Sequence, residues 1–492
     1  MFDRIDDFTF EEKNADPIQH VVFLMLENHS FDQMLGCFEQ KYPELDGVTL
    51  QTHRFNLDEK NHPVYQTVVT EKQMLLDPFH DTPNVLYQIN NDNSGFLKDF
   101  IANYPHSSDE DRANVMGYYP MGFLPALHAL ADQFTICDHW FASIPGPTWP
   151  NRFFALSGTS SGRVTMPDSI TDLNFIPDLF YQYQDTIFDR LDEASKSWRI
   201  YYYDFAISLA LTHQRNFKNL MNYHKIDRFF EDCRGTAEKF PEFVFIEPKY
   251  LGVDQNDDHP PHNTMKAQKL IADVYNAIRS NPVLWESTLL VVTYDEHGGF
   301  YDHVSPPAAV PPDHHTEEYT FDRLGVRVPA LLISPWVKKG VIKTVFDHTS
   351  LLKYLIDKWN LRPLGERTRH ANSIAVALDF NQEPMLDCLP FIRVSNASLI
   401  SEDVEKEIWN YTTDNKKTIH LFANYLENKL PKQHIHGEVS TYAWGKEQLG
   451  HALISWGMWL TKDSYEQHQA RIAHTCEVVS NTIENKPKNS IY

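Results

Sequence analysis

The sequence predicts an α/β protein built on a central, mostly parallel sheet covered by helices. Four short apolar runs of strand length are separated by longer stretches, and continuous apolar runs are typical of parallel strands buried on both faces. Met265 to Arg279 places Leu270, Ile271 and Val274 on one side, as an amphipathic helix does. Alternating strands and helices are the pattern of α/β domains. The four predicted strands are Val21–Leu26, Phe243–Ile246, Leu289–Thr293 and Leu331–Ser334.

Composition indicates a folded protein with a large core and argues against a nucleic-acid binder. Hydrophobic residues make up 42% of the 492 residues and aromatic residues 13%, which is far from the composition of a disordered chain. The formal net charge is −23, and the sequence contains no long run of Lys or Arg. Because such a body repels phosphate backbones at long range, we expect no nucleic-acid partner.

Cysteine usage and the lack of long apolar segments predict where the protein works. The five cysteines are scattered and form no CxxC pair, so we expect reduced thiols and neither a disulfide framework nor a zinc ribbon. Residues 1–14 are acidic and lack the features of a cleavable signal peptide. No 18 apolar residues run together. We therefore expect no transmembrane segment, and either a cytoplasmic protein or export by a route that needs no cleaved signal.

Differences in patterning divide the chain into three parts. We assign residues 1–380 to the main domain, with an inserted segment at about 41–114 that has mixed patterning and many turn residues. Residues 381–492 form a predicted accessory C-terminal region, because they contain no strand that ends in an acidic pair. Their charge is nearly balanced, and aromatic residues are frequent between Thr441 and Trp459.

Polar residues directly follow two of the predicted strands. Glu27 and Asn28 come after the first strand, where carboxylate and amide oxygens together can bind a divalent cation. Asn28 could instead cap a following helix. Asp295 and Glu296 come after the third strand and are followed by His297. Because burying unpaired charge is expensive, three adjacent ionisable side chains at a strand end indicate a functional cluster.

The segment Ile144–Asn151 (IPGPTWPN) is a tight, proline-rich loop before a helix that we expect to start at Asn151. Thr148 lies just ahead of this helix, where free backbone N–H groups and the helix dipole favour a phosphate group. A hydroxyl there could attack phosphorus if a metal lowers its pKa. From the residues alone, a structural hydroxyl in a proline-rich turn is the simpler interpretation.

Histidines offer further candidates for metal binding or proton transfer. His259 and His262 lie in the segment NDDHPPH, where flanking carboxylates allow either role and the prolines predict a loop. His80 and His348 lie near aspartates, and each is also compatible with a structural role. The chain has 24 histidines, so proximity in sequence does not by itself select among them.

Six segments in chain order together resemble one family, the phosphoesterases that include bacterial and plant non-specific phospholipases C and related acid phosphatases. The resemblance extends from Glu27 to about Ser350, roughly two-thirds of the chain. The matching segments are ENHSFD (27–32), DHWF with IPGPTWPNR (138–152), FIEP (245–248), DHPPH (258–262), TYDEHGGFYDHV (293–304) and VPALLISPW (328–336).

The resemblance implies an alkaline-phosphatase-like three-layer α/β sandwich and a metal-assisted mechanism with a covalent phosphothreonine intermediate. It assigns four kinds of role to residues of this chain. Glu27, Asn28, Asp295 and Glu296 would hold a divalent metal ion; Thr148 would be the nucleophile; His80, His259 and His297 would contact phosphate or move protons; and Asn151, Arg152, His303 and His348 would bind substrate.

The sequence leaves the identity of the metal open. The four implied ligands are rich in oxygen, which suits calcium, magnesium or manganese, whereas the neighbouring histidines suit zinc, which we favour. His29 and His139 stand where members of the family often have arginine. These two differences could alter pH dependence or the binding of substrate.

The implied activity is hydrolysis of glycerophospholipids such as phosphatidylcholine at a membrane surface, giving diacylglycerol and a phospho-headgroup. A phosphomonoesterase acting on small soluble phosphates would use the same site, and a non-catalytic effector that kept the fold is a third hypothesis. A secreted effector with a role in virulence is compatible with the phospholipase C hypothesis. We expect all catalytic groups before about Ser350, and Trp444, Trp456 and Trp459 either at a headgroup boundary or in a C-terminal core. The oligomeric state is left open.

Overall fold

An eight-stranded sheet forms the centre of the computed structural model, which describes residues 16–48, 51, 53–166, 184–251, 254–395 and 413–429. Seven of its strands run in the same direction, and Ala330–Ile333 is antiparallel to both of its neighbours. The strands are, in order across the sheet, Gly340–Ile342, Thr135–Cys137, Ala330–Ile333, Thr288–Tyr294, His20–Leu26, Phe243–Glu247, Trp198–Tyr202 and Tyr223–Lys225. The predicted α/β fold with a mostly parallel central sheet is confirmed.

All four predicted strands belong to this sheet, and their bounds differ from the predicted ones by no more than one residue at either end. Every residue in them is buried, which is what continuous apolar runs indicate. An apolar run does not reveal strand direction, so the antiparallel setting of Ala330–Ile333 is a new finding. The other four strands are not predicted from apolar runs, because they are short or, like Trp198–Tyr202 (WRIYY), contain polar groups.

Helices cover both sides of the sheet. The predicted helix at Met265–Arg279 is present and begins one residue earlier, where the Asn263 side chain accepts a hydrogen bond from the Met265 N–H. The α-helices of the described ranges are Phe31–Leu35, Thr82–Gln88, Asn90–Asn93, Phe96–Asn103, Asp109–Val115, Leu127–Gln133, Thr148–Ser157, Ile187–Glu193, Phe217–Leu220, Ile226–Arg234, Thr264–Arg279, Pro282–Glu286, Thr349–Trp359, Glu366–His370 and Asp414–Lys429.

The inserted segment at 41–114 packs against the loop that follows the strand Thr288–Tyr294. Val85 and Phe96 of the segment share a small apolar cluster with Tyr301 of that loop. This packing holds the segment, including His80, near the end of the strand. Three short pairs of strands lie outside the main sheet: Phe55–Leu57 with Pro63–Tyr65, Thr67–Val68 with Gly117–Tyr118, and Trp140–Phe141 with Phe346–Asp347.

One hydrophobic core extends across the predicted boundary at residue 380. Cys388 and Ile392 belong to the same core as the central strands, and so do Ile419 and Phe422 of the helix Asp414–Lys429, hereafter the C-terminal helix. Trp444, Trp456 and Trp459 lie outside the described residues, so their predicted position stays a prediction.

Two further expectations concern cysteines and membrane spans. The four described cysteines, Cys37, Cys137, Cys233 and Cys388, are free and buried, and Cys476 lies outside the described residues. Within the described ranges, no helix is long and apolar enough to cross a membrane.

Candidate active site

The carboxyl ends of two neighbouring strands bring four polar residues together. His20–Leu26 pairs in parallel with Thr288–Tyr294 in a register that sets Leu26 opposite Tyr294. The residues that follow each strand therefore emerge side by side, at the edge of the sheet where open α/β folds bind ligands. These strand-end residues are Glu27, Asn28, Asp295 and Glu296, and none of them is exposed to solvent.

The loops after these strands approach each other closely. The His29 N–H donates to the carbonyl oxygen of Glu296 across 3.1 Å. Gly298 has a φ of 63°, and a Cβ at this position would lie 2.5 Å from the backbone oxygen of Asn28. Glycine is therefore required at residue 298, because any side chain would push the two loops apart.

Ser30 takes the helix-capping role that was the alternative interpretation of Asn28. Its Oγ accepts a hydrogen bond from the Gln33 N–H across 3.3 Å at the start of the helix Phe31–Leu35. Asn28 itself has a φ of 64°, a left-handed conformation that asparagine adopts more readily than most residues. The Asn28 side chain is thus not used as a cap.

Thr148 is the first residue of the helix Thr148–Ser157, which begins three residues earlier than predicted. The helix includes Pro150 because a proline in the first turn lacks only an N–H that has no partner within the helix. Pro147, the residue before the helix, forms no side-chain capping hydrogen bond to this turn. Thr148 is almost completely buried, with 1% of its surface exposed.

Arg152 links this helix to the strand ends. It follows Thr148 by four residues, so the two side chains lie on the same helix face. Its Nε donates to Oδ2 of Asp295 across 2.8 Å, and its terminal nitrogens lie 3.3 Å from Oε1 of Glu27 and 3.4 Å from Oε2 of Glu247. Thr148 is therefore on the helix face that is turned towards the strand ends.

Burial dominates the electrostatics of the strand-end carboxyl groups. Burial raises the pKa of Glu27 well above its usual range, although the Arg152 guanidinium acts against this. It also raises the pKa of Asp295 to about 6 and that of Glu296 to about 8. A cation placed among these groups would favour their ionised forms.

His80 and His259 lie beside the strand ends. Nε2 of His80 is 3.2 Å from Nδ2 of Asn28 and 3.7 Å from Oε1 of Glu296, and the centroid of its ring is 5.7 Å from that of His259. Burial acts to lower the pKa of His80, but the carboxylates of Glu296 and Asp77 outweigh it and raise that pKa to about 10. Burial and the nearby His80 lower the pKa of His259 well below its usual value. The two neighbouring imidazoles therefore differ in their affinity for a proton.

Three buried oxygen atoms at the strand ends have no hydrogen-bond partner in the described part of the chain: Oε2 of Glu27, Oδ1 of Asn28 and Oε1 of Glu296. Buried polar atoms are nearly always paired, and an unpaired one costs about 1–3 kcal/mol. Carboxylate and amide oxygens are ligands of divalent cations. These residues fit the metal ion that the resemblance implies. Asp295, the fourth implied ligand, is already bonded to Arg152 and to the Glu296 N–H.

A sequence model of the Phosphoesterase family matches residues 18–362, a span that contains Thr148 and all four strand-end residues. The chain belongs to the phosphoesterase family. The resemblance carried by the six motifs is confirmed, and the protein is a phosphoric ester hydrolase.

Named relatives of this phosphoesterase cover most of its length. It is 30% identical over 491 residues to non-specific phospholipase C3 of Arabidopsis thaliana, covering 86% of this chain and 90% of that protein. Non-specific phospholipase C1 of Arabidopsis thaliana is 34% identical over 412 residues, covering 77% and 75%. Hemolytic phospholipase C of Pseudomonas aeruginosa is 27% identical over 449 residues, covering 75% and 58%. A solved structure of an alkaline phosphatase superfamily protein from Vibrio parahaemolyticus is 9% identical with a TM-score of 0.33, covering 85% and 88%.

Two of the predicted substrate-binding residues of this phosphoesterase form hydrogen bonds to the backbone, and their predicted contact with substrate stays a prediction. The Asn151 Nδ2 donates to the Gly146 carbonyl across 2.9 Å, and its Oδ1 accepts from the Ile144 N–H across 3.1 Å. The His348 Nε2 donates to the Asp295 carbonyl across 2.7 Å. With these bonds, Asn151 shapes the loop before Thr148 and His348 fixes the backbone of a strand end. Arg152, as described above, is engaged with carboxylates.

His303, the fourth predicted substrate-binding residue, lies in a separate cluster. Its Nδ1 is 2.9 Å from Asp32 and its Nε2 is 2.8 Å from Asp46. Asp32, Asp302 and His303 are close enough to bind a metal ion, but the Arg327 guanidinium contacts both aspartates at 2.9 Å and compensates part of their charge. Both ring nitrogens of His303 are thus engaged with protein groups, and its predicted role in substrate binding stays a prediction.

His297 follows Glu296 in the chain, and its side chain contacts the inserted segment. Its Nε2 is 2.8 Å from Oε1 of Gln88, and its ring meets that of Phe96 edge-on at 5.7 Å. Its Nδ1 is 3.7 Å from Oε2 of Glu296. The predicted contact of His297 with phosphate stays a prediction, and the bonds that the structure does show make it a support for the loop after the strand.

Glu247 and Asn415 also contact residues of the site. Glu247 ends the strand Phe243–Glu247 and contacts Arg152; it carries the same signal as Glu27, an acidic residue at the end of a buried strand. Asn415, on the C-terminal helix, donates from Nδ2 to Oε1 of Glu27 across 2.7 Å, and no pattern in the sequence identifies it. A residue of the C-terminal region therefore contacts a predicted metal ligand, and the expectation that all catalytic groups lie before about Ser350 stays a prediction.

Proposed function

We propose that the protein is a metal-dependent phospholipase C that hydrolyses glycerophospholipids such as phosphatidylcholine to diacylglycerol and a phospho-headgroup. The observation that carries the proposal is the buried site at the strand ends, where three oxygen atoms that have no hydrogen-bond partner among the described residues lie beside a helix that starts at Thr148. The plant and bacterial relatives named phospholipase C support the choice of activity.

Thr148 is the proposed nucleophile. Its position at the first residue of a ten-residue helix supports this role, because the positive end of the helix dipole stabilises a phosphate group. Attack of the Thr148 oxygen on phosphorus would release diacylglycerol and leave a phosphothreonine. Attack by water would then release the phospho-headgroup and restore the hydroxyl.

Glu27, Asn28, Asp295 and Glu296 are the proposed ligands of a divalent metal ion. Such an ion, when bound, would polarise a phosphoryl oxygen and lower the pKa of a bound hydroxyl. Arg152 already engages Glu27 and Asp295, so few oxygens remain for the ion. This supports zinc, which takes four ligands, over calcium, which takes six to eight.

His259 is the proposed proton-transfer group. Its Nδ1 donates to the Pro260 carbonyl across 2.6 Å, which leaves Nε2 as the reactive nitrogen. That Nε2 is buried and has no hydrogen-bond partner in the described ranges. A histidine in this state can accept a proton from water or return one to a leaving oxygen, an effect of about 10²–10⁴-fold. His80, close to Asn28 and Glu296, is proposed to contact the phosphate.

The surroundings of the site support a diester over a monoester. Phe79 and Leu75, which precede His80 in the inserted segment, are 38% and 60% exposed and offer an apolar surface next to it in the chain. The positive side chains of Arg152 and Lys416 are buried near carboxylates. Since carboxylates dominate the site, a phosphodiester with one negative charge is easier to accommodate than a dianionic monoester.

An assay with three substrates tests the proposal. Wild type and Thr148→Ala are compared on phosphatidylcholine vesicles, on p-nitrophenylphosphorylcholine and on p-nitrophenyl phosphate. We expect diacylglycerol and phosphocholine from the vesicles, turnover of the soluble diester, and a kcat/KM for the monoester that is lower by about 100-fold, with all activities lost in the variant. A preference for the monoester without release of diacylglycerol would identify a phosphomonoesterase instead.

A further inference from the structure

We propose that Asn415 is a positioning residue that orients Glu27 for metal binding. The inference rests on the proposed function, in which Glu27 is a metal ligand. The side-chain amide of Asn415 forms a bridge: its Nδ2 donates to Oε1 of Glu27 across 2.7 Å, and its Oδ1 accepts from Nε1 of Trp149 across 2.8 Å. Asn415 is 2% exposed, so water does not compete for either bond.

The bridge decides which oxygen of Glu27 is left free. Oε1 accepts the hydrogen bond from Asn415 and lies 3.3 Å from the Arg152 guanidinium. Oε2, in contrast, is buried without a hydrogen-bond partner among the described residues. The last torsion of a glutamate side chain is broad and roughly two-fold, so a carboxylate without such bonds has no fixed orientation. Asn415 and Arg152 together hold Oε1 and leave Oε2 as the ligand oxygen.

The C-terminal helix that carries Asn415 is held by packing of its own. Ile419, Leu421 and Phe422 belong to the main hydrophobic core, and the Phe422 ring meets the rings of Trp149 and Phe205 edge-on, each at 5.9 Å. The helix therefore does not depend on the bond to Glu27 for its position. A side chain that donates a hydrogen bond to a metal ligand from a fixed helix orients that ligand. Loss of such a hydrogen-bond partner typically lowers metal affinity about 10–100-fold.

The chemistry of the bridge favours asparagine. The position must donate to a carboxylate on one side and accept from an indole N–H on the other, and only a side chain with both a donor and an acceptor can do so. Trp149 directly follows Thr148, so the bridge also connects Glu27 to the first turn of the helix that carries the proposed nucleophile. Asn415 thereby fixes a ligand relative to that helix.

The test measures zinc affinity and not only activity. Full-length wild type, Asn415→Leu and Lys417→Ala are stripped of metal, and zinc binding is measured by competition with a chelator of known affinity. Leu has nearly the shape of Asn and forms neither bond. Lys417 is the matched control: it lies two residues further along the same helix, is exposed and pairs with Asp414 at 2.6 Å. We expect Asn415→Leu to lower zinc affinity about 10–100-fold and Lys417→Ala to leave it unchanged.

The outcomes separate this inference from the proposed function. If wild type binds zinc and Asn415→Leu binds it equally well, the positioning role is overturned and the proposed function stands. If wild type binds no divalent ion, both are overturned. If Asn415→Leu does not fold, as judged by its thermal unfolding in chelator, the comparison uses Asn415→Ala, which removes both bonds with a smaller side chain. Wild-type zinc affinity in that variant would also overturn the proposal.

Discussion

Arg152 and Asp295 form a fully buried ion pair, with Nε of the guanidinium 2.8 Å from Oδ2 of the carboxylate. The same guanidinium lies 3.3 Å from Glu27 and 3.4 Å from Glu247. One arginine thus compensates acidic residues that follow or end three neighbouring strands. Because the side chain also lies on the face of the helix that bears Thr148, it sets the distance between the helix and the strand ends.

Removing this guanidinium should destabilise the protein strongly. Arg152→Met leaves buried carboxylates without compensation, and breaking a buried ion pair in this way costs about 3–5 kcal/mol. Arg369→Met is the control, because Arg369 and its partner Glu366 are both 55% exposed and such pairs contribute about 1 kcal/mol or less. The free energy of unfolding is measured in urea with chelator present. Equal losses in the two variants would contradict the compensating role.

Thr148→Ala should keep the fold and lower turnover by at least about 10³-fold, because it removes the proposed nucleophile and almost nothing else. Thr148→Ser should retain partial activity, since the hydroxyl survives. Initial rates on the soluble diester and the thermal midpoint of each variant provide the comparison. Normal turnover by the alanine variant would exclude a covalent phosphothreonine.

Asp295→Asn and Glu296→Gln should lower metal content together with activity. Each change removes one negative charge from the proposed ligand set, and carboxylate charge is a main determinant of affinity for divalent ions. Glu366→Gln is the control, because its carboxylate is 55% exposed. Elemental analysis of the purified proteins gives the metal content. If a variant kept its full metal content but lost activity, the substituted residue would be assigned to proton transfer and not to metal binding.

The strand ends could be predicted from the sequence because their signals are local. An apolar run that stops at an acidic pair reports both burial and the edge of the sheet, which is why Glu27 and Asp295 fall where they were expected. A motif match is less informative, because it marks a residue without saying what the side chain contacts. Arg152 and His348 were expected to bind substrate, yet they contact a carboxylate and a backbone carbonyl. Asn415 meets Glu27 across 388 residues, and only the fold brings such partners together.

The cluster around His303 predicts a dependence of stability on pH that is independent of the metal site. Burial acts to lower the pKa of His303, but Asp32 and Asp46 outweigh it and raise that pKa from 6.5 to about 9. Burial acts to raise the pKa of Asp32, yet His303 and Arg327 lower it from 3.8 to about 2. The histidine therefore stabilises the fold when protonated, and the aspartate when ionised.

The contribution of His303 and Asp32 to the free energy of unfolding should form a plateau between about pH 4 and pH 6.5 and fall on both sides. A group with a raised pKa contributes stability that is fully present below its unfolded value, and His303 loses this contribution as the pH rises through about 9. Asp32 loses its contribution as the pH falls through about 2. Between pH 6.5 and pH 9.5, wild type should lose on the order of 2 kcal/mol more than His303→Gln, which has no imidazole to titrate. Other titrating groups are common to both proteins and cancel in the difference. Urea unfolding of the two proteins at three pH values tests this, and parallel curves for wild type and variant would show that His303 is not the group responsible.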